Sequence, residues 1–195
     1  MSAGPLITPE REGRFGLIYV DPPTRTESYS AKGQAKAPPY PTMSRYDLLT
    51  LPVGRLAAPN CALVIWSTST HLDQIMECIR VWGFEYKSYG GWGKRTQNWT
   101  PDRDDPKWAF GTGRWQRSTL EVYLMAARGA PLICSHSERN FVEAALREHS
   151  RKPDETRESL ERMFPRVPKI ELFGRQRRAG WDCWGDQVDL FPEAP

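Results

Sequence analysis

An acid and two prolines directly follow an apolar run near the start of the chain. Residues 15–20 read FGLIYV, and Asp21, Pro22, Pro23 and Thr24 come next. Two successive prolines lack backbone donors and fix two φ angles, so the turn is stiff and its carbonyl oxygens are free to accept hydrogen bonds. A carboxylate beside such carbonyls suits an amino group that is held through both hydrogens. The same residues favour turns, so the motif alone is equally compatible with a simple strand end.

Two further positions carry a charged residue at a predicted element boundary. Gly174 and Arg175 follow the run KIELF, where a glycine lets a ligand approach the backbone and an arginine offers a fixed fork of donors. Lys152 precedes Pro153 at a predicted helix start, where it could bind a carboxylate or stay solvated. The three histidines have no metal-ligand spacing and no obvious nucleophile partner, so neither a metal site nor a catalytic triad is predicted.

Residues 93–118 interleave basic and aromatic side chains. The basic ones are Lys94, Arg95, Arg103, Lys107, Arg114 and Arg117, and the tryptophans are Trp99, Trp108 and Trp115. Rings that stack on bases, next to cations that neutralise phosphates, are typical of a nucleic-acid surface. Three aspartates in the same segment dilute its charge, and a solvated loop with tryptophans packed on the core is the competing interpretation.

Length and composition limit the class of protein. A chain of 195 residues, 39% hydrophobic, fits one domain with a buried core. It has no long apolar stretch and no secretory signal at its N-terminus, so a soluble cytoplasmic protein without membrane contact is predicted. The four cysteines are scattered in or beside apolar segments, which favours reduced, buried thiols. A net charge of +3 and a pI near 8.7 are compatible with a polyanionic partner.

The hydrophobic pattern alternates between strands and helices. Strands are predicted over residues 15–20, 61–66, 84–92, 120–127 and 169–173, with a hairpin from 120–127 into 132–134. Helices are predicted over 45–57 with Ser44 as N-cap and an interruption near Pro52, over 70–82 with Gly83 as stop, and from Pro153 to Phe164. Residues 140–148 fit either type, and 174–187 is predicted to be a tail. This order indicates an α/β sheet flanked by helices, whose ligands bind beyond the carboxyl ends of the strands.

Six motifs, taken together and in order, resemble the MT-A70 family of S-adenosylmethionine-dependent adenine N6-methyltransferases, particularly its short bacterial and phage members. They are Asp21-Pro22-Pro23, Tyr40-Pro41-Thr42-Met43-Ser44, Gly111-Thr112-Gly113-Arg114-Trp115, the segment HSRKPDE at 149–155, ELFGR at 171–175, and GWDCWGDQ at 180–187. The resemblance implies a Rossmann-like class I methyltransferase fold in permuted (β-class) motif order, with a mostly parallel sheet. It implies one domain over 15–191, an N-terminal extension over 1–14, and substrate loops near 24–43 and 93–118.

The resemblance also implies the roles of individual residues. The catalytic turn is Asp21, Pro22, Pro23 and Thr24, in which Asp21 and the Pro22 carbonyl accept hydrogen bonds from the N6 amino group of adenine. The residues implied for S-adenosylmethionine are Asp21, Lys152, Phe173, Gly174, Arg175, Asp186 and Gln187. The residues implied for the nucleic-acid target are Tyr40, Lys94, Trp99, Arg114, Trp115 and Arg117. The target is DNA or, as the second choice, RNA, with short or relaxed sequence specificity, and a homodimer or heterodimer is possible.

Two positions depart from the family pattern. Thr24 stands where the family usually has an aromatic residue that packs against the target base, and Asp186 replaces the usual asparagine. Losing a stacking ring costs roughly 1–3 kcal/mol of base binding. The sequence therefore leaves two functions open, an active adenine N6-methyltransferase and an inactive nucleic-acid-binding or partner subunit that keeps the fold. Methylation of cytosine N4 uses the same kind of amine, but the resemblance disfavours it.

Overall fold

The computed structural model describes residues 4–24, 41–102, 107–111, 115–148 and 151–192. Seven strands within these ranges form one sheet. They are β1 (Phe15–Val20), β2 (Ala57–Ser67), β3 (Glu85–Arg95), β4 (Leu120–Arg128), β5 (Phe141–Ala145), β6 (Lys169–Leu172) and β7 (Trp181–Trp184), in the spatial order β5-β3-β4-β2-β1-β6-β7. Three α-helices accompany them, α1 (Arg45–Thr50), α2 (Leu72–Val81) and α3 (Asp154–Met163), with a short 3-10 helix at Val53–Arg55.

The sheet is parallel except at one strand. Strand β4 pairs antiparallel with both β2 and β3, whereas the pairs β1–β2, β1–β6, β6–β7 and β3–β5 are parallel. The carboxyl ends of the parallel strands therefore share one edge of the sheet with the start of β4, and this is where α/β proteins bind ligands. The expected α/β class, with a mostly parallel sheet flanked by helices, is confirmed.

The apolar run before Asp21 forms a central strand because both of its faces are covered. All six residues of β1 are buried. One face, with Ile18 and Val20, belongs to the core that also contains residues of α1 and α2, and the other face, with Leu17 and Tyr19, packs with residues of α3. A strand buried on both sides gains apolar burial at every position, which explains the continuous hydrophobic pattern.

The predicted N-cap of the first helix and the predicted glycine stop of the second are both present in the structure. Ser44 caps α1 through a capping box, since its hydroxyl accepts from the Asp47 amide and the Asp47 carboxylate accepts from the Ser44 amide. The interruption predicted near Pro52 is confirmed, because the α-helix ends at Thr50 and the chain continues as the 3-10 turn at Val53–Arg55. Helix α2 ends just before Gly83, whose φ of 80° is the left-handed conformation that favours glycine.

Four element predictions need correction or completion. The predicted hairpin into residues 132–134 is wrong, because β4 pairs with β2 and β3, while the Cys134 amide donates to the carbonyl of Met163, the last residue of α3. The ambiguous segment 140–148 contains strand β5, which pairs parallel with β3. The predicted tail contains β7, a four-residue strand without an apolar alternation, which pairs with β6. Strand β3 also extends to Arg95, into the predicted loop.

The segment before β1 packs onto the core and onto the edge strand β7. Leu6 is buried in the core, the Trp184 indole donates to the Gly4 carbonyl at 2.7 Å, and Arg11 forms an ion pair with Asp182 at 3.0 Å. Part of the predicted 1–14 extension is thus tied to β7. In the described ranges, no helix has the length and apolar character required to cross a bilayer.

A close backbone contact joins the turns that follow β6 and β7. A Cβ built on Gly185 would lie 3.0 Å from the Gly174 carbonyl oxygen, and one built on Gly174 would overlap the Cys183 sulfur. Phe173, next to Gly174, has a φ of 62°, a conformation that costs a residue with a side chain about 1–3 kcal/mol. These two turns therefore fit together only when glycine occupies both contact positions.

Gly174→Ala is expected to lower the free energy of unfolding by about 1–3 kcal/mol, because the added methyl group overpacks this contact. Gly111→Ala is the matched control, since the nearest atom to its new Cβ would be the Ser118 carbonyl oxygen at an ordinary 3.8 Å. Urea denaturation of both variants measures the difference. Equal stabilities for the two variants would contradict the tight packing.

Candidate active site

The predicted catalytic and cofactor residues lie along one edge of the sheet. Asp21 follows β1, the segment Phe173 to Arg175 follows β6, and Asp186 follows β7. Because these three strands are adjacent and parallel, their ends open onto the same crevice. Lys152 reaches the same edge from the connection that precedes α3.

Asp21 is held by a buried lysine. The Lys152 ammonium lies 2.8 Å from one carboxylate oxygen of Asp21 and 2.9 Å from the other. The Lys152 side chain is only 9% exposed, and its ammonium lies 5.5 Å from the centre of the Trp66 ring. A buried ammonium that reaches both oxygens fixes the orientation of the carboxylate plane.

A second carboxylate, which the sequence did not single out, completes this arrangement. Glu121, near the start of β4, accepts from Lys152 at 2.9 Å and pairs with Lys94 at 2.7 Å. Together Asp21, Lys152, Glu121 and Lys94 form a run of alternating charges, which we call the charge chain. The only hint in the sequence is that Glu121 is an acid in an otherwise apolar strand, LEVYLMAA.

The charge chain keeps its inner members ionised. Burial lowers the pKa of Lys152, but Asp21 and Glu121 more than offset this, so the pKa is raised above its ordinary value. Burial likewise raises the pKa of Glu121, yet Lys152 and Lys94 bring it down to about 2. Burial raises the pKa of Asp21, against the opposing charge of Lys152. Lys152 is therefore a fixed cation at neutral pH and not a proton acceptor.

The backbone after Asp21 is pinned by short hydrogen bonds. The Thr24 amide donates to the Pro22 carbonyl at 2.8 Å, and the Met43 amide donates to the Pro23 carbonyl at 2.8 Å. Thr24 and Met43 form a parallel bridge. A carbonyl oxygen has two lone pairs, so the Pro22 oxygen can still accept a second donor.

The turn after β6 places an arginine near Asp21. The Phe173 ring packs edge-on against Trp184 at a centroid distance of 5.4 Å, and the Phe173 amide donates to the Trp184 carbonyl. The following Arg175 acts electrostatically on Asp21, lowering the pKa that burial raises. Arg175 thus belongs to the turn whose first residue, Phe173, has the strained φ of 62°.

A cavity of about 800 Å³ opens beside the ends of β6 and β7. Its lining includes Asp186 and Gln187 from the turn after β7, and Gly4 and Pro5 from the segment before β1. Its volume lies within the range of small-molecule sites. The predicted cofactor residues Asp186 and Gln187 thus line this cavity, whereas Asp21, Lys152 and Arg175 are not part of its lining.

The predicted target-binding residues lie in different environments. Trp115 is 94% exposed and Arg117 is exposed, on a loop closed by the Gly111–Ser118 bridge. Lys94 is only 20% exposed and belongs to the charge chain. Trp99 lies 5.5 Å from the Arg95 guanidinium. Tyr40 and Arg114 lie outside the described residues, as does most of the predicted 24–43 loop.

The fold and this site define an α/β protein with a Rossmann-like sheet and a polar ligand crevice at the edge of its central strands. The MT-A70 family profile matches residues 15–187, and the chain therefore belongs to the MT-A70 family. This confirms the predicted family and its Rossmann-like methyltransferase fold, in which the Asp-Pro-Pro strand precedes the strand of the second ligand motif.

Several curated proteins are similar to this chain. The "Probable N(6)-adenosine-methyltransferase MT-A70-like" of Oryza sativa subsp. japonica is 32% identical over 91% of the chain and 23% of its own length. The "N(6)-adenosine-methyltransferase catalytic subunit METTL3" of Homo sapiens is 28% identical over 91% of the chain and 29% of its own length. The "Type II methyltransferase M.MunI" of Mycoplasma sp is 30% identical over 76% of the chain and 60% of its own length. The chain thus spans about a quarter of the plant relative.

Glu121→Gln is expected to lower the free energy of unfolding by about 3 kcal/mol at neutral pH. The reason is that Lys152 then keeps only Asp21 as a carboxylate partner, and Lys94 loses its ion pair with Glu121. The folded-state pKa of Glu121, about 2, lies below its ordinary 4.5. Its stabilising contribution is therefore complete above pH 4.5 and is lost as the pH falls toward 2. The difference between wild type and variant should shrink over that window, as measured by chemical denaturation at several pH values.

Glu77→Gln provides the control, since Glu77 pairs with Arg45 on the surface and an exposed pair contributes about 0–1 kcal/mol. A Glu121→Gln effect as small as that of Glu77→Gln would contradict the stabilising role of the charge chain.

Proposed function

We propose that this chain is an S-adenosylmethionine-dependent methyltransferase that methylates N6 of adenine in DNA, with RNA as the second substrate class. The observation that carries the proposal is the Asp21 carboxylate, held at the centre of the ligand edge by Lys152 at 2.8 and 2.9 Å. Membership of the MT-A70 family and similarity to N(6)-adenosine-methyltransferases support the reaction. Similarity to a type II methyltransferase supports DNA as the substrate.

Asp21 and the Pro22 carbonyl would hold the amino group of the target adenine. The lone pair of this nitrogen is delocalised into the ring, and hydrogen bonds to both N–H groups favour the pyramidal geometry that makes it nucleophilic. Lys152 fixes the carboxylate before the base arrives, so little reorganisation is needed. Because the amino group becomes acidic only once it is methylated, the site needs no strong base, in agreement with the protonated state of Lys152.

S-adenosylmethionine would supply a methyl group activated by a positive sulfonium. Lys152 would bind its carboxylate, and because the Lys152 ammonium already contacts both oxygens of Asp21 and one of Glu121, it would exchange one of these contacts for the cofactor. Arg175 would lie against the ribose and adenine. Asp186 and Gln187 line the cavity of about 800 Å³ and would bind the ribose and adenine. Phe173 and Gly174 form the turn that directly precedes Arg175.

The target strand would lie against the loop that carries Trp115 and Arg117. The target base must leave a stacked duplex, or already be single-stranded, to reach Asp21. An exposed indole beside an exposed cation is suited to stacking on a neighbouring base while contacting phosphate. Lys94, by contrast, would support the target site indirectly, through its ion pair with Glu121. We expect short or relaxed sequence recognition by this protein.

A methyl-transfer assay tests the proposal. Labelled S-adenosylmethionine is incubated with the protein and with adenine-containing DNA and RNA oligonucleotides, and Asp21→Asn is assayed alongside. The variant should lose about 100-fold or more of the activity, because the amide presents a donor where the amine needs an acceptor. Asp73→Asn, which changes an exposed aspartate on α2, should leave activity unchanged. Absence of transfer to adenine in every DNA and RNA substrate would overturn the proposal.

Thr24 motivates a second candidate function, an inactive nucleic-acid-binding or partner subunit. Its side chain cannot offer the stacking surface that an aromatic residue would provide. Calorimetry separates the two functions, because tight nucleic-acid binding without any binding of S-adenosylmethionine supports the inactive subunit. Measurable binding of S-adenosylmethionine supports the enzyme.

Thr24→Trp is expected to lower the KM for the nucleic-acid substrate roughly 5- to 150-fold, because a stacked base gains roughly 1–3 kcal/mol. Thr24→Val is the matched control at the same position, since it removes the hydroxyl group without adding a ring. Steady-state kinetics with varied oligonucleotide measures both variants. An unchanged KM in Thr24→Trp would mean that another residue already holds the base.

A further inference from the structure

The segment 187–192 folds back over the turn that follows β6. The Phe191 amide donates to the Arg175 carbonyl at 3.1 Å, and the Gln176 side chain donates to the Pro192 carbonyl at 2.5 Å. Arg177 forms an ion pair with Asp189 at 2.7 Å. The segment is therefore attached to three successive residues of that turn, beginning with Arg175.

Phe191 presents its ring to two arginines from different parts of the chain. The guanidinium of Arg151 lies 5.3 Å from the ring centre, and that of Arg175 lies 5.6 Å from it. Both distances are within the range in which a cation is attracted to the negative face of an aromatic ring. One half-buried ring thus joins the connection before α3 to the turn after β6.

Each arginine is linked to the charge chain. Arg151 immediately precedes Lys152, the residue that fixes Asp21. Arg175 acts electrostatically on Asp21. Two guanidinium groups of like charge repel each other, and the Phe191 ring is a neutral surface that attracts both. Arg151 is further held by Glu148 at 3.2 Å and by the Gln176 side chain at 3.3 Å.

We propose that Phe191 is a positioning residue that orients Arg175, and with it Arg151, for binding of S-adenosylmethionine. This inference rests on the function proposed above, because it assigns S-adenosylmethionine to that edge of the sheet. Phe191 acts through the arginines and does not contact the reacting atoms. Its contribution therefore falls on the affinity for S-adenosylmethionine, while kcat at saturating cofactor stays the same.

Calorimetric binding of S-adenosylmethionine to Phe191→Leu tests the role of the ring. Leucine keeps an apolar side chain but removes the attraction to both guanidinium groups, so the Kd should rise roughly 5- to 20-fold. Phe191→Tyr keeps the ring and should retain the wild-type Kd. Tyr86→Leu should not change the Kd, because it removes a partly exposed ring at the start of β3, a strand that is not a neighbour of β6 or β7.

A double-mutant comparison distinguishes positioning from a general loss of structure. In an Arg175→Gln background, Phe191→Leu should raise the Kd by a clearly smaller factor than in the wild type, because one of the two contacts is already missing. Equal factors in both backgrounds, or a Phe191→Leu Kd equal to that of the wild type, would overturn the inference while leaving the proposed function intact. A wild-type protein that binds no S-adenosylmethionine would overturn both.

Discussion

The ion pair between Asp21 and Lys152 is the interaction on which the site depends. It joins the end of the central strand to the connection before α3, residues that are far apart in sequence, and it does so with a side chain that is only 9% exposed. A buried ammonium requires more than one acceptor to offset its desolvation, and Glu121 supplies the second one at 2.9 Å. Lys94 then balances Glu121, so that the four charges sum to zero beneath the crevice.

The order of the strands brings Asp21 and Glu121 to the same edge of the sheet, where both contact Lys152. Strand β1 lies between β2 and β6, and the antiparallel β4 beside β2 begins where the parallel strands end. Glu121 can therefore meet Lys152 although β4 runs in the opposite direction. On the other side of β1, the contact between Gly174 and Gly185 brings the ends of β6 and β7 together, and Arg175 in the first of these turns acts electrostatically on Asp21. Four side chains from four parts of the chain, Asp21, Glu121, Lys94 and Lys152, thus meet at this edge.

Local signals predicted much of the fold. The continuous burial of β1, the Ser44 cap and the Gly83 stop depend on neighbouring residues and on the period of the apolar pattern, so sequence reasoning could find them. Strand β7 could not be found in this way, because its four residues carry no alternation and are ordered by pairing with β6. The predicted hairpin at 132–134 failed because both edges of β4 are already paired, one with β2 and the other with β3.

The sequence by itself determined the family, the position of Asp21 at the end of a buried strand, and the residue types at the cofactor motifs, because each is written in a short contiguous stretch. Only the tertiary structure decided which charges meet. In the folded protein, Lys152 pairs with Asp21 and Glu121, and Lys94 pairs with Glu121. The Phe191 ring contacts the guanidinium groups of Arg151 and Arg175. Such contacts depend on strand order and on the energetic cost of leaving a buried charge unpaired, and neither is a property of any local segment.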